Sequence, residues 1–166
     1  MGFYPTGRGF ESLPGYQNAT SNKGGNMDIK DNGPNPYVVD IEDLTLSNDN
    51  FRTAAWTGSY LQMTLMTIPA GGQVGLEVHE DTDQFLRLEQ GKAKVVMGKA
   101  QDTLDQEFSA EDDWAIFVPA GTWHNILNAG DEDLKMYSIY APSHHPHSTV
   151  HKTYEAAMEA EEAEHH

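Results

Sequence analysis

The sequence predicts an all-β fold, a sandwich or barrel of short antiparallel strands. Two observations carry this reading. From Tyr37 onward, segments of four to nine residues rich in apolar, β-branched and aromatic side chains recur, each closed by a polar or glycine-containing turn. Nowhere do such segments alternate with helical patterns as a βαβ unit requires, which disfavours a dinucleotide-binding fold.

The elements follow in order. Residues 1–36 hold seven glycines and four prolines, with turn signals at Gly24–Gly25 and Gly33–Pro36, and read as an extended or partly disordered arm. Tyr37–Ile41 reads as a short strand, and Asp43–Asn50 as a turn-rich stretch with room for one helical turn. Tyr60–Ile68 alternates strictly and is a strand. On it Tyr60, Gln62, Thr64 and Met66 share one face, mixed enough in chemistry to line a small-molecule pocket, while Leu61, Met63 and Leu65 form an ordinary core face. Further strands are expected at Leu76–His79, Gln84–Glu89, Lys92–Met97, Trp114–Val118, Trp123–Asn128 and Leu134–Tyr140. The body thus spans residues 37–150. Residues 151–166 form a helical tail, with Thr153 as N-cap and Glu155 in the first turn.

Composition excludes several function classes. The chain has no cysteine, so disulfides, thiolate nucleophiles and thiolate metal sites are absent, and a reducing cytoplasm suits it. Ten Lys and Arg stand against 26 Asp and Glu, for a formal net charge of −16. That balance argues against a nucleic-acid partner, which needs a basic face. Residues 1–36 carry three basic and three acidic residues, so the whole excess lies beyond them. No stretch is apolar for long enough to span a bilayer, so no membrane partner is expected.

The chemistry concentrates in two stretches, Gly71–Gly91 and Pro119–Asn128. Glu77 and His79 are two apart on an expected strand and project from one face. A turn at Glu80–Asp83 reverses the chain, and Gln84 opens the next strand facing the same interior. His124 follows the tight turn Pro119–Gly121. Four nitrogen or oxygen donors therefore converge, and imidazole with carboxylate suits one divalent ion among Mn, Fe, Co, Ni and Zn. Asp83 is a rival oxygen donor that strand parity points away. The histidines from His144 to His147 follow Pro142 and read as a rim or surface loop rather than a second metal site.

At these residues the chain resembles the cupin superfamily, in particular its small single-domain type-2 members. Gly71, Glu77, His79, Gln84 and Gly91 fall on the spacing of the first cupin motif, and Asp113, Pro119, Gly121, His124 and Asn128 on that of the second. Three positions depart from the pattern: Glu77 stands for the first ligand histidine, Gln84 for the ligand glutamate and Asp113 for a glycine. The resemblance implies an antiparallel jelly-roll barrel, metal ligation by Glu77, His79, Gln84 and His124, and assembly as a homodimer. Chains of this kind are often labelled similar to mannose-6-phosphate isomerase, although the expected strands offer few cations for a phosphate: Arg87, Lys92, Lys94 and Lys135.

The functional expectation is a metal-dependent enzyme acting on a small polar, carbohydrate-like molecule by isomerase- or epimerase-like proton transfer, with Glu77 as the catalytic base. Two alternatives stand beside it. Two histidines and one carboxylate resemble the facial triad of iron dioxygenases, and the same fold serves as a non-catalytic metal or small-ligand binding module.

Overall fold

Two antiparallel sheets face each other in a jelly-roll, with the metal-ligand candidates between them. The computed structural model describes residues 28–164. In chain order the elements are α1 (Ile41–Leu46), β1 (Arg52–Thr57), β2 (Gln62–Ile68), β3 (Asp83–Gln90), β4 (Lys92–Gly98), β5 (Gln106–Glu111), β6 (Ala115–Val118), β7 (Trp123–Asn128), β8 (Leu134–Ala141), β9 (Val150–His151) and α2 (Tyr154–Glu164). One sheet runs β6-β3-β8-β2-β1-β9 and the other β5-β4-β7. No helix of the described residues is long and apolar enough to cross a membrane.

The middle of the larger sheet is buried on both faces, which is why every residue of β2 is buried. Its inner face, with Met66, Leu86, Leu88 and Met136, meets Val95 and Ile126 of the smaller sheet in the main core. Its outer face, with Ala55, Met63, Leu65 and Tyr137, is covered by Ile29, Tyr37, Val39, Ile41 and Leu44 from the N-terminal segment. The two faces of β2 therefore separate as its alternation requires.

Several local expectations change. Tyr37–Ile41 forms no strand: Asp40 caps α1, its carboxylate accepting from Asp43 N–H, so the chain turns helical where a strand would have continued. Leu76–His79 contributes a single bridge rather than a strand. Strands β1 and β5 arise where no strand is expected, because their half-polar sequences, Arg-Thr-Ala-Ala-Trp-Thr and Gln-Glu-Phe-Ser-Ala-Glu, owe their pairing to neighbours rather than to local pattern. α2 begins as expected, with Thr153 Oγ1 accepting from Ala156 N–H at 3.1 Å. It seats Ala157, Tyr154 and Met158 on the main core.

Residues 1–27 of the expected arm lie outside the described residues. Residues 28–36 are packed on the body rather than free. The Asp31 carboxylate, with its side chain 0% exposed, accepts from Thr57 N–H (2.9 Å), Thr57 Oγ1 (2.6 Å), Gly33 N–H (3.0 Å) and Ser148 N–H (3.0 Å). Trp56 Nε1 donates to the Asn35 carbonyl at 2.8 Å. Gly33 lies so close that a Cβ there would fall 2.2 Å from the Thr57 backbone.

Burial alone would raise the Asp31 carboxyl, but its hydrogen bonds and the nearby His147 outweigh that and lower it. A lowered carboxyl adds stability that is complete above its unfolded value, about 3.9, and is lost as pH falls through the folded value. Asp31→Asn is therefore expected to cost about 1–3 kcal/mol at neutral pH, with the difference from wild type shrinking below about pH 4. Urea unfolding at the two pH values reads both effects.

Candidate metal centre

Glu77 reaches the site through the backbone rather than through a strand. Gly75 takes φ 107°, a left-handed conformation that glycine accepts without strain, and its N–H is held by Asn125 Oδ1 at 3.0 Å. Glu77 and His124 then exchange reciprocal backbone hydrogen bonds, Glu77 N–H to His124 O at 3.0 Å and His124 N–H to Glu77 O at 2.9 Å. Directly opposed residues of an antiparallel pair project to the same face. Gly121, at φ 79° in the turn before β7, donates its N–H to the His79 carbonyl at 2.8 Å. The two ligand-bearing stretches are thus tied twice.

Glu77 Oε1 lies 3.3 Å from His79 Nε2 and 3.5 Å from His124 Nε2. One ligand atom from each of the three residues falls within 4.8 Å of the other two. Donors about 2.1 Å from a shared ion sit about 3–3.5 Å apart in octahedral or tetrahedral geometry, so the spacing suits a transition metal. The tautomer of His124 suits it as well. Its Nδ1 is 2.9 Å from the Thr122 carbonyl; a carbonyl only accepts, so Nδ1 carries the proton and Nε2 offers a lone pair. His79 and His124 are 5% and 1% exposed, and His79 Nδ1, His79 Nε2 and His124 Nε2 have no hydrogen-bond partner among the described residues. Buried nitrogens left this way are costly unless something coordinates them. Burial would raise the Glu77 carboxyl, but the His124 and His79 imidazoles standing against it hold it far below the usual carboxylate range.

Gln84 faces the same interior. Its Nε2 donates to Ser138 Oγ at 2.7 Å, leaving Oε1 buried and unpartnered. Asp83 is exposed and accepts from Ala120 N–H, so it is turned away. Asp113 takes φ 72°, which accounts for a glycine at this motif position; asparagine and aspartate tolerate that region best among other residues.

The three expected pocket residues separate. Tyr60 precedes β2 and is 84% exposed, outside the interior, because the strand starts two residues later than its alternation suggests. Gln62 is buried but fully engaged. Its Oε1 accepts from His144 N–H and His145 N–H, and its Nε2 donates to Thr57 Oγ1 and the His145 carbonyl. It is a clamp for the loop after β8 rather than a ligand contact. Thr64 does face inward, with its Oγ1 unpartnered.

That clamp brings in residues the motifs do not reach. The His144 ring lies 4.0 Å from His79 and 5.5 Å from Tyr140, to which it stacks. His144 itself is exposed, so it forms the rim of the site and touches it. His145 is buried, its imidazole pushed down to about 2 by desolvation and by the Arg52 charge. The Tyr140 hydroxyl is pushed up to about 12 by burial and stays protonated. His147 turns away, its Nε2 2.8 Å from the Gly33 carbonyl. Arg52 projects to the inner face of the large sheet, opposite Met66. A strand pattern at 52–57 would have revealed it.

Comparison with known proteins agrees with this architecture. The cupin domain profile matches residues 64–140. The Bacillus subtilis protein YrkC is 53% identical over 137 residues, covering 82% of this chain and 74% of its own. The L612 protein of Acanthamoeba polyphaga mimivirus is 38% identical over 111 residues, 66% of this chain and 68% of its own. The crystal structure of BH2720 from Bacillus halodurans superposes with a TM-score of 0.78 at 54% identity, over 79% of this chain and 99% of that one. The chain belongs to the cupin domain family, and within it carries a candidate metal site of one carboxylate and two imidazoles.

Replacing His79 or His124 by alanine is expected to weaken Mn or Ni binding by more than about 100-fold, since even supporting residues around a metal are worth 10- to 100-fold. His147→Ala should leave it unchanged. Elemental analysis of the purified variants compares them.

Proposed function

We propose that the chain is a metal-dependent enzyme that moves a proton on a small polar, carbohydrate-like molecule, an isomerase- or epimerase-like reaction. The observation that carries this reading is the convergence of Glu77, His79 and His124, with buried nitrogens left without a hydrogen-bond partner among the described residues. A bound divalent ion, Mn, Fe, Co, Ni or Zn, would act as a Lewis acid on a substrate carbonyl or hydroxyl. Glu77, set between two imidazoles, serves as ligand rather than as the base. His144, at the rim and 4.0 Å from His79, is the group placed to take a proton from a substrate held there. Tyr140 and Thr64 offer hydroxyls to orient it.

A sugar phosphate fits less well than a sugar or sugar acid. Three of the four cations counted from the sequence are engaged elsewhere. Lys135 Nζ donates to the carbonyls of Leu46 and Asn48 at the end of α1, Arg87 pairs with Glu89 and Asp113, and Lys94 pairs with Glu107.

The test is proton exchange. Metal-loaded protein incubated with reducing sugars and sugar acids in deuterium oxide should exchange the proton alpha to the carbonyl, read by NMR. Oxygen uptake with iron would instead establish a dioxygenase, and binding without either would establish a binding module. Gln84→Glu is expected to tighten Mn binding about tenfold or more, since it replaces a neutral oxygen donor by a charged one; calorimetric titration yielding an unchanged affinity would remove Gln84 from the metal shell.

We further propose a homodimer, built where the two sheets part at strands β5 and β6. Phe108, Trp114 and Phe117 are 51%, 54% and 70% exposed along these edges, the kind of apolar edge that proteins cover. Sedimentation equilibrium should return a dimer mass, and Phe117→Glu should shift it toward monomer.

A further inference from the structure

Arg52 is a charge placed where a soluble protein rarely leaves one. It is fully buried on the inner face of the large sheet, opposite Met66 and one residue pair from Thr64, which faces Ala54. A guanidinium cannot shed its charge at physiological pH. Among the described residues its polar partners are all on Nη1, Glu161 Oε1 of α2 at 3.4 Å and His151 Nδ1 at 3.3 Å, and Cζ lies 5.4 Å from the centroid of the Phe51 ring. Nε and Nη2 have none among the described residues. An unsatisfied, charged, buried donor pair is one of the most unfavourable arrangements a core can hold.

The identity of the two free groups is informative. Nε–H and the adjacent Nη2–H point the same way and form the side-on fork of the guanidinium, the edge that meets two oxygens of one carboxylate. Its surroundings belong to the metal centre. On this face the next inward-facing pair after Arg52 and Met66 is Ala54 and Thr64, Thr64 is paired in turn with Ser138, and Ser138 accepts from Gln84 Nε2, while the rings of His144 and Tyr140 stand 4.0 and 5.6 Å from His79. Thr64 Oγ1 and Gln84 Oε1, two further unpartnered polar atoms of this sheet face among the described residues, lie on the successive rows beyond Arg52: Arg52 pairs with Met66, Thr64 with Ala54 and Ser138, and Gln84 with Tyr140. Glu161 is the only protein carboxylate on Arg52 among the described residues, and its contact is long and one-sided.

We propose that Arg52 is the receptor for the carboxylate of an anionic substrate, which binds across the interior with its other end at the metal, and that Glu161 holds Arg52 until that carboxylate arrives. The substrate is then a hydroxy- or keto-carboxylate of sugar-acid type. This rests on the metal reading above for the second end of the molecule but not for the first. The charges agree: a divalent ion and Arg52 against Glu77 and Glu161 leave one net positive charge, which one carboxylate neutralises and a phosphate dianion exceeds.

Calorimetry with glycolate, its neutral isostere glycolamide and inorganic phosphate tests this, on both metal-free and Mn-loaded protein. Glycolate should bind wild type about 10- to 100-fold more tightly than glycolamide, the range of a charge-assisted hydrogen-bond pair. Arg52→Gln should abolish that preference, and Glu161→Gln, which removes the competing carboxylate without touching Arg52, should tighten glycolate several-fold. Equal binding of glycolate and glycolamide, retention of glycolate by a folded Arg52→Gln, or tighter binding of phosphate would overturn the proposal. If Arg52→Gln does not fold, Glu161→Gln decides: unchanged or weaker glycolate binding rejects it. Failure of the metal reading shows separately, as no Mn uptake by wild type, and the metal-free titrations then decide the role of Arg52 alone.

Discussion

Two backbone hydrogen bonds between Glu77 and His124 are the constraint on which the site depends. They fasten a segment that is not a strand to the edge of the smaller sheet, and in doing so fix the relative position of the two motif stretches. Everything chemical about the site follows from that clasp. The carboxylate falls between two imidazoles because the residues face each other across one narrow pair, and His79 is added by a second tie from Gly121. Reciprocal backbone bonds are insensitive to side-chain identity, so an exchange of histidine for glutamate at position 77 changes the donor without moving it.

Around this clasp the interior is divided by chemistry. Toward one end lie Met66, Leu88, Met136 and Val95, packed as an ordinary core. Toward the other lie Thr64, Gln84, Ser138 and Tyr140 on the large sheet, facing Glu77, His79 and His124, and Arg52 stands at the boundary, on the row of Met66. The apolar end supplies the stability that the polar end consumes, since each buried polar group without a protein partner costs on the order of 1–3 kcal/mol. Among the described residues seven such atoms remain, all on Arg52 and the residues of this polar end, and the recognition chemistry is concentrated there. The second core on the outer face of the same sheet, with α1 and the segment before it, adds apolar burial to the strands that carry that polar end.

The site was legible in the sequence to the extent that it is built from spacing. Glu77, His79 and His124 fall together as the motif spacing implies, although the Glu77 stretch is held by a single bridge to His124 rather than by a strand, and the glycine-like position of Asp113 is visible as a departure from pattern and explained by its backbone conformation. What stayed hidden depends on contacts between distant segments. Arg52 sits on a strand whose local sequence is too polar to announce itself, and its strand exists because β2 and β9 flank it. Gln62 looks like a pocket residue by parity, yet all its hydrogen-bonding capacity goes to a loop more than eighty residues away. The reach of His144 to His79 is set by that clamp and by nothing in its own vicinity. Residues 28–36, rich in turn formers, look free because Asp31 is ordinary in sequence and becomes an anchor only against Thr57 and Ser148.

The pairing of β1 with β9, and of Arg52 with Glu161, 109 residues further along, has a consequence for how the molecule comes into being. During synthesis the first strand of the large sheet emerges long before the strand and helix that complete its surroundings. Arg52 therefore lacks its ion-pair partner until β9 and α2 have been made, and its part of the interior closes when they dock. Long-range closures of this kind are slow because loop entropy is spent before contacts return it. For the same reason, loss of the α2 turn that carries Glu161 would return Arg52 to solvent.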